Sequence, residues 1–238
     1  MNEIPPIVFI APILTIAVAV YMVINKGRAA KNLDAQWTQY RAGELATRLG
    51  LQLVKGDPAF NLFIRQANVD VSRGPSDGKP VHVEVLLEGE HDGSETSLRY
   101  LYRVEQDTEF TRVVWRIWHD CRMTVRTKQA FPEFEVVSRK APMGPIAKTK
   151  TLVARPTGNA VVDKTYVVMT NEKGMADALG QHLEAFSRFG NSGVHLVGDG
   201  EEVSFVMKQD KAPLLANALY YAEDMQRLLV KLAQGIGG

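Results

Sequence analysis

Residues 4–24 read IPPIVFIAPILTIAVAVYMVI, an uncharged run that constrains this chain more than any other stretch. About 20 apolar residues at a rise of about 1.5 Å each cross a hydrocarbon core of roughly 30 Å, with the backbone satisfied inside the helix. A transmembrane helix is the expected result. Pro5 and Pro6 fall at its start, where missing N–H groups cost little, while Pro12 lies inside and is expected to kink it. Lys26, Arg28 and Lys31 follow the run and only Glu3 and the amino terminus precede it, so the positive-inside rule predicts the N-terminus outside and the remainder in the cytoplasm. A cleaved secretory signal with Ala17-Val18-Ala19 as its cleavage site competes with this reading, but such signals open on a basic region and this one carries Glu3. The expected location is the inner (plasma) membrane, single-pass, with the lipid bilayer as a partner through residues 4–24.

The rest of the chain has the composition of a folded protein. Of 238 residues, 45% are hydrophobic and 23% charged, which excludes a disordered or low-complexity chain. Lys+Arg 28 against Asp+Glu 27 leaves a net charge of +1, so no global basic excess draws the protein to nucleic acid. Cys121 is the single cysteine, which excludes an intrachain disulfide and any zinc site with two thiolates, and it agrees with a reducing compartment.

Periodicity divides the chain into an anchor with its basic flank (residues 1–30), a juxtamembrane helix and antiparallel sheet (31–128), an irregular linker (129–162) and a β-α-β-β-α subdomain (163–238). Leu33, Trp37, Tyr40, Leu45 and Leu49 recur near helical spacing, with Gly50 as a stop. Trp37 and Tyr40 suit the membrane interface better than a partner-binding face. Short strands are expected at 51–54 and 61–64 around a Gly56-Asp57-Pro58 turn, then a loop at 71–79. Period-2 alternation over 81–126 predicts four strands of an antiparallel meander, the third ending near Trp118 and the fourth starting at Cys121. Four prolines and an APMGP stretch in 129–162 mark the expected seam. Beyond it come a strand at 165–169, a helical stripe (Met175, Leu179, Leu183, Phe186), a hairpin around Gly198-Asp199-Gly200, and a long C-terminal helix with Leu214, Leu215, Ala218, Leu219, Ala222, Met225, Leu229 and Leu232 on one face. The predicted class is α+β.

In the stretches 45–57 (LATRLGLQLVKGD) and 158–168 (GNAVVDKTYVV), the chain resembles uncharacterised bacterial membrane-anchored proteins with a cytoplasmic domain of unknown function. These often place an Asp shortly before an aromatic within a strand, the positions of Asp163 and Tyr166. The resemblance implies membrane anchoring and an α+β fold, and it carries over no catalytic residue.

Motifs for chemistry are sparse. The sequence holds no GxGxxG after a strand, no GxxxxGK[ST], no HExxH and no GxSxG. His82, His91, His119, His182 and His195 are not spaced by three or four, so no metal or cofactor site is expected. His119-Asp120-Cys121 could approach one another in a tight turn, yet a Cys-His pair needs a third group from elsewhere, and a turn with a semi-buried thiol is the expected reading. His91-Asp92 in the polar EGEHDGSET stretch reads as a solvated hairpin tip rather than a divalent-ion loop. No catalytic residue and no enzyme activity are expected, and no small-molecule substrate is evident.

Charge on the meander is more informative. Pairing 88 with 99, 103 with 112 and 116 with 124 gives one apolar face, holding Val85, Leu87, Tyr100, Trp115 and Met123 among others, and one face bearing Arg99, Arg103, Arg112 and Arg116, with Trp118 and Arg122 near its edge. Guanidinium forks there would bind phosphate or carboxylate. The competing reading is a solvated face on which Glu84 and Glu88 neutralise the arginines. Arg139, Lys140, Lys148, Lys150 and Arg155 form a basic linker that is solvated or touches anionic lipid. The expected function is a single-pass, membrane-anchored, non-enzymatic assembly or interaction module, with a membrane-protein partner or self-association. Binding of anionic lipid or nucleic acid through the arginine face is the alternative, nucleic acid being disfavoured because Trp118 alone is available for stacking.

Overall fold

Alternating apolar and polar residues through 81–126 build three long strands. In the computed structural model, which describes residues 40–62, 79–109, 112–139, 152–192, 194–209 and 219–236, these are β2 (Val81–His91), β3 (Ser94–Glu109) and β4 (Arg112–Arg126). The remaining strands are β1 (Gln52–Lys55), β5 (Phe134–Ser138), β6 (Ala154–Arg155), β7 (Tyr166–Thr170), β8 (His195–Gly198) and β9 (Glu202–Gln209). All pair antiparallel in one nine-stranded sheet of order β1-β2-β3-β4-β9-β8-β5-β7-β6. Helices α1 (Ala42–Leu49), α2 (Ala160–Thr165), α3 (Lys173–His182) and α4 (Ala222–Ile236) complete the mixed α+β fold, with a 3-10 run Leu183–Ser192 extending α3. Tyr40–Gly238 forms one compact unit.

The expected transmembrane helix, its flank Lys26, Arg28 and Lys31, and Trp37 lie outside the described residues, as does the loop at 71–79. No helix among the described residues is long and apolar enough to cross a membrane. The juxtamembrane helix is described from Ala42 onward and ends where Gly50 adopts a left-handed φ of 66°, its N–H turned back onto the Ala46 and Thr47 carbonyls. At 61–64 the described part shows a single bridge, Asn61 to Arg41, in place of the expected strand.

Three further expectations are corrected. The third and fourth strands are one strand, β4: no Gly, Pro or Asn interrupts the alternation through Trp118-His119-Asp120-Cys121, and Asp120 alone does not break it. The registers also differ. Glu88 pairs with Ser97 rather than Arg99, Arg103 with Trp118 rather than Arg112, and Arg116 with Glu105. A two-residue Asp92-Gly93 turn sets the first of these, both residues at positive φ (49° and 76°), the geometry that matches the twist of a hairpin. Third, the stretch 129–162 is not irregular throughout: it supplies β5, held between β8 and β7, the edge strand β6 and the start of α2. Asp163 consequently sits in α2, not in a strand, and accepts from the Thr157 N–H (2.8 Å) and hydroxyl (2.9 Å). The Asn159 side chain caps α2, accepting from Val161 and Val162 N–H groups.

The β-α-β-β-α order is present as β7, α3, β8, β9 and α4. Met175, Leu179, Leu183 and Phe186 are buried, as are Leu219, Ala222, Met225, Leu229 and Leu232, while Leu214, Leu215 and Ala218 lie outside the described residues. One face of the sheet, here the inner face, carries Val85, Leu87, Leu98, Tyr100, Met123 and Phe205, all essentially fully buried. The end of α1 lies against it: a Cβ on Gly89 would meet the Leu51 side chain at 3.1 Å. From α4, Gln226 donates to the Leu49 carbonyl (3.1 Å) and Gln234 to that of Asp92 (3.1 Å), tying the helix to α1 and to the first hairpin.

Candidate functional site

Because β4 is continuous, residues two apart share a face, and His119 and Cys121 both turn into the core while Asp120 turns away. Their cross-strand partners are Tyr102 and Tyr100. The Tyr100 hydroxyl meets His119 Nδ1 at 2.8 Å, the Tyr102 ring lies 5.2 Å from the imidazole, and Phe60 packs on both tyrosines at 6.1 and 6.4 Å. His119 Nε2 is buried without a hydrogen-bond partner among the described residues. Burial pushes the Cys121 thiol far above its ordinary range, with the Asp120 charge adding to the effect. We expect Cys121 to be inert to a disulfide-exchange reagent in the native protein and to react stoichiometrically only after unfolding in denaturant; rapid native labelling would show an open path to the thiol.

Burial likewise lowers the His119 pKa. The unfolded chain titrates near the ordinary value of about 6.5, so below that pH it binds a proton that the folded protein refuses. Stability contributed by neutral His119 is complete above about pH 6.5 and falls on acidification, by at most about 1.4 kcal/mol per pH unit, until the folded group itself protonates. Thermal melts from pH 7.5 to 5.0 are expected to show this decline, and His119→Phe to flatten it. An unchanged pH slope in the variant would place the titrating group elsewhere.

The outer face carries the charge. Its rows across β2, β3 and β4 read His82, Arg103, Trp118; Glu84, Leu101, Asp120; Leu86, Arg99, Arg122; and Glu88, Ser97, Thr124. Glu84 sits between two cations, accepting from Arg99 Nε at 2.8 Å and from Lys55 Nζ, and these two hold its carboxyl below the ordinary range, Lys55 the more strongly. Arg99 remains 55% exposed. Arg122, its exposed neighbour, has no carboxylate within ion-pair distance among the described residues. Arg103 pairs with Glu105 (3.4 Å), and Arg126 reaches Glu95 (3.4 Å). In the next row the Thr124 and Ser204 hydroxyls meet at 2.9 Å. Val206, beside Arg122 on β9, is buried, so exposure on this face rises from β9 toward β3.

The structure therefore brings Arg99 and Arg122 together and separates the others. Arg112 and Arg116 lie farther along β4, opposite Glu109 and Glu105 by register, and their side chains and that of Trp118 lie outside the described residues. At about 3.4 Å per residue, Arg112 is roughly 34 Å along the strand from Arg122, too far for one platform. Of the basic linker, Arg139 donates to the Asp163 carbonyl (3.0 Å) and Arg155 to those of Thr170 (3.0 Å) and Asn171 (2.9 Å), while Lys140, Lys148 and Lys150 lie outside the described residues. His91 and Asp92 form the first hairpin tip, 3.6 Å apart. No group of three or more His, Cys, Asp or Glu residues that could hold a metal occurs among the described residues. Sequence reasoning missed Lys55 and the Tyr100–His119 pair; the Asp92-Gly93 turn was the signal that would have set the β2–β3 register, whereas the Arg99–Arg122 adjacency follows from the separate β3–β4 register.

No protein-family model and no curated protein matches the chain. Among solved structures it is similar to the crystal structure of the mycobacterial trehalose monomycolate transport factor A, TtfA, at 11% identity and a TM-score of 0.37, over 81% of this chain and 96% of that one. A likeness at that level carries no weight for fold or role.

Proposed function

We propose that this chain is a single-pass, membrane-anchored, non-enzymatic interaction module. Residues 4–24 hold it in the plasma membrane, Lys26, Arg28 and Lys31 keep the α+β unit in the cytoplasm, and that unit contacts a protein partner in or at the same membrane. The observation that carries the reading is the division of labour between the sheet faces. Residues of α1 and α4 share one buried core with the inner face, whereas the outer face of β2–β4 sets exposed Arg99 and Arg122 beside half-buried Leu86 and Leu101, with Glu84, Glu88 and Asp120 among them, which is the composition of a protein contact rather than of a small-molecule cleft.

Crosslinking in intact cells, followed by mild-detergent purification of the full chain, is expected to yield one stoichiometric membrane partner or a dimer of the chain. Recovery of a lone monomer with bound anionic lipid would overturn the reading in favour of lipid binding. For the topology, a reporter active only outside the cytoplasm, fused after Gly238, is expected to be silent; a signal from it would reverse the orientation.

A further inference from the structure

On the outer face, Arg99 and Arg122 stand directly opposite one another on β3 and β4. Like charges in that position destabilise a sheet, and strands about 4.8 Å apart give the two side chains little room to separate. Glu84 relieves the pair only in part, because its carboxylate is shared with Lys55 and reaches Arg99, not Arg122. Two cations thus share one acid, and Arg122 stands beside them.

Leu86, opposite Arg99, and Leu101, two residues along β3 from it, are half-buried, so the guanidinium pair is flanked by apolar surface. Ser97 and Thr124 supply hydroxyls in the adjoining row. We infer that this patch, Lys55, Arg99 and Arg122 with Leu86 and Leu101, is the docking point for a protein segment that presents a carboxylate between apolar side chains. The inference rests on the interaction-module reading and specifies its surface.

Charge complementarity selects a protein over a bilayer or a nucleic acid. Glu84, Glu88 and Asp120 share this face with the arginines, and a uniformly anionic surface would have to approach all three. A protein segment can set a carboxylate against Arg99 and Arg122 and leave the acids to its own basic or neutral residues. A carboxylate gripped by two guanidinium forks gains charge-assisted hydrogen bonds, and its apolar neighbours gain contact with the leucines.

The test uses the full chain in detergent micelles and a fluorescent peptide carrying two adjacent glutamates flanked by leucines, read by anisotropy over a salt series. Arg122→Glu is expected to weaken binding at least tenfold, to flatten the salt dependence and to leave the melting temperature equal to or above that of the parent, because a carboxylate at 122 would face Arg99. Lys231→Glu, the same change of charge at an exposed position on α4, is expected to do neither. Absence of peptide binding, equal binding by Arg122→Glu, or an Arg122-dependent association only with phosphatidylglycerol vesicles or inorganic phosphate would each overturn the inference. Should the crosslinked partner survive Arg122→Glu at full yield, the module reading stands and the docking patch fails. Loss of that partner in Arg122→Glu alone supports both.

Discussion

Replacing Trp115 by Ala is expected to destabilise the protein by about 3–5 kcal/mol, the range for truncating a buried aromatic. Trp115 is 6% exposed on the inner side of β4, and the cavity left behind would open between long strands that have no slack to collapse into it. The contrast lies on the same strand: Arg112→Ala with Arg116→Ala, which alternation places on the opposite face from Trp115, is expected to shift stability by no more than about 1 kcal/mol. Urea titrations of the three proteins separate these outcomes through their midpoints at constant slope. If the double arginine variant matched the tryptophan variant, the arginines would belong to a buried network and the outer face would not be a surface.

Gly198→Val is expected to prevent folding or to cost several kcal/mol, at or beyond the upper end of the roughly 1–3 kcal/mol typical of overpacked cores. Gly198 ends β8 opposite Phe134 of β5, and a Cβ there would stand 2.3 Å from Cε1 of Phe134 and 2.6 Å from the Phe131 ring. The two rings, with centroids 5.7 Å apart, fill the space a side chain would need. Gly200, two residues on, gives the control: its φ is 103° but nothing lies within 4 Å of a Cβ, so Gly200→Asn incurs only the backbone term, about 1–3 kcal/mol. Circular dichroism melts distinguish a lost fold from a strained turn. Equal effects at both glycines would mean that the requirement at Gly198 is conformational and not one of volume.

The two arginine positions that emerge as neighbours, Arg99 and Arg122, show how far the sequence reaches. Alternation put both on the polar face, and they are there. The expected pairing of 88 with 99 differs from the observed pairing of 88 with 97 by two residues, and that of 103 with 112 from that of 103 with 118 by six. Even shifts preserve the face of every side chain, because successive residues of a strand alternate, so composition of each face survives an error in register. The identity of neighbours does not survive it. Arg112 and Arg116 move to the far part of the ribbon, and Arg122 moves in from the edge to face Arg99.

Period and turn chemistry by themselves determined the inward stripe of α3 and α4, the hairpin at Gly198-Asp199-Gly200, the end of the first helix at Gly50 and the two-sidedness of the meander, since each depends on residues within a few positions of one another. Only the tertiary structure decided that β5 is inserted between β8 and β7, and that His119 lies against Tyr100 and Tyr102 with Nε2 unpartnered among the described residues. Those outcomes depend on pairings between strands far apart in the chain, where the free energy of closing the sheet outweighs local preference and where the sequence offers no periodicity to read.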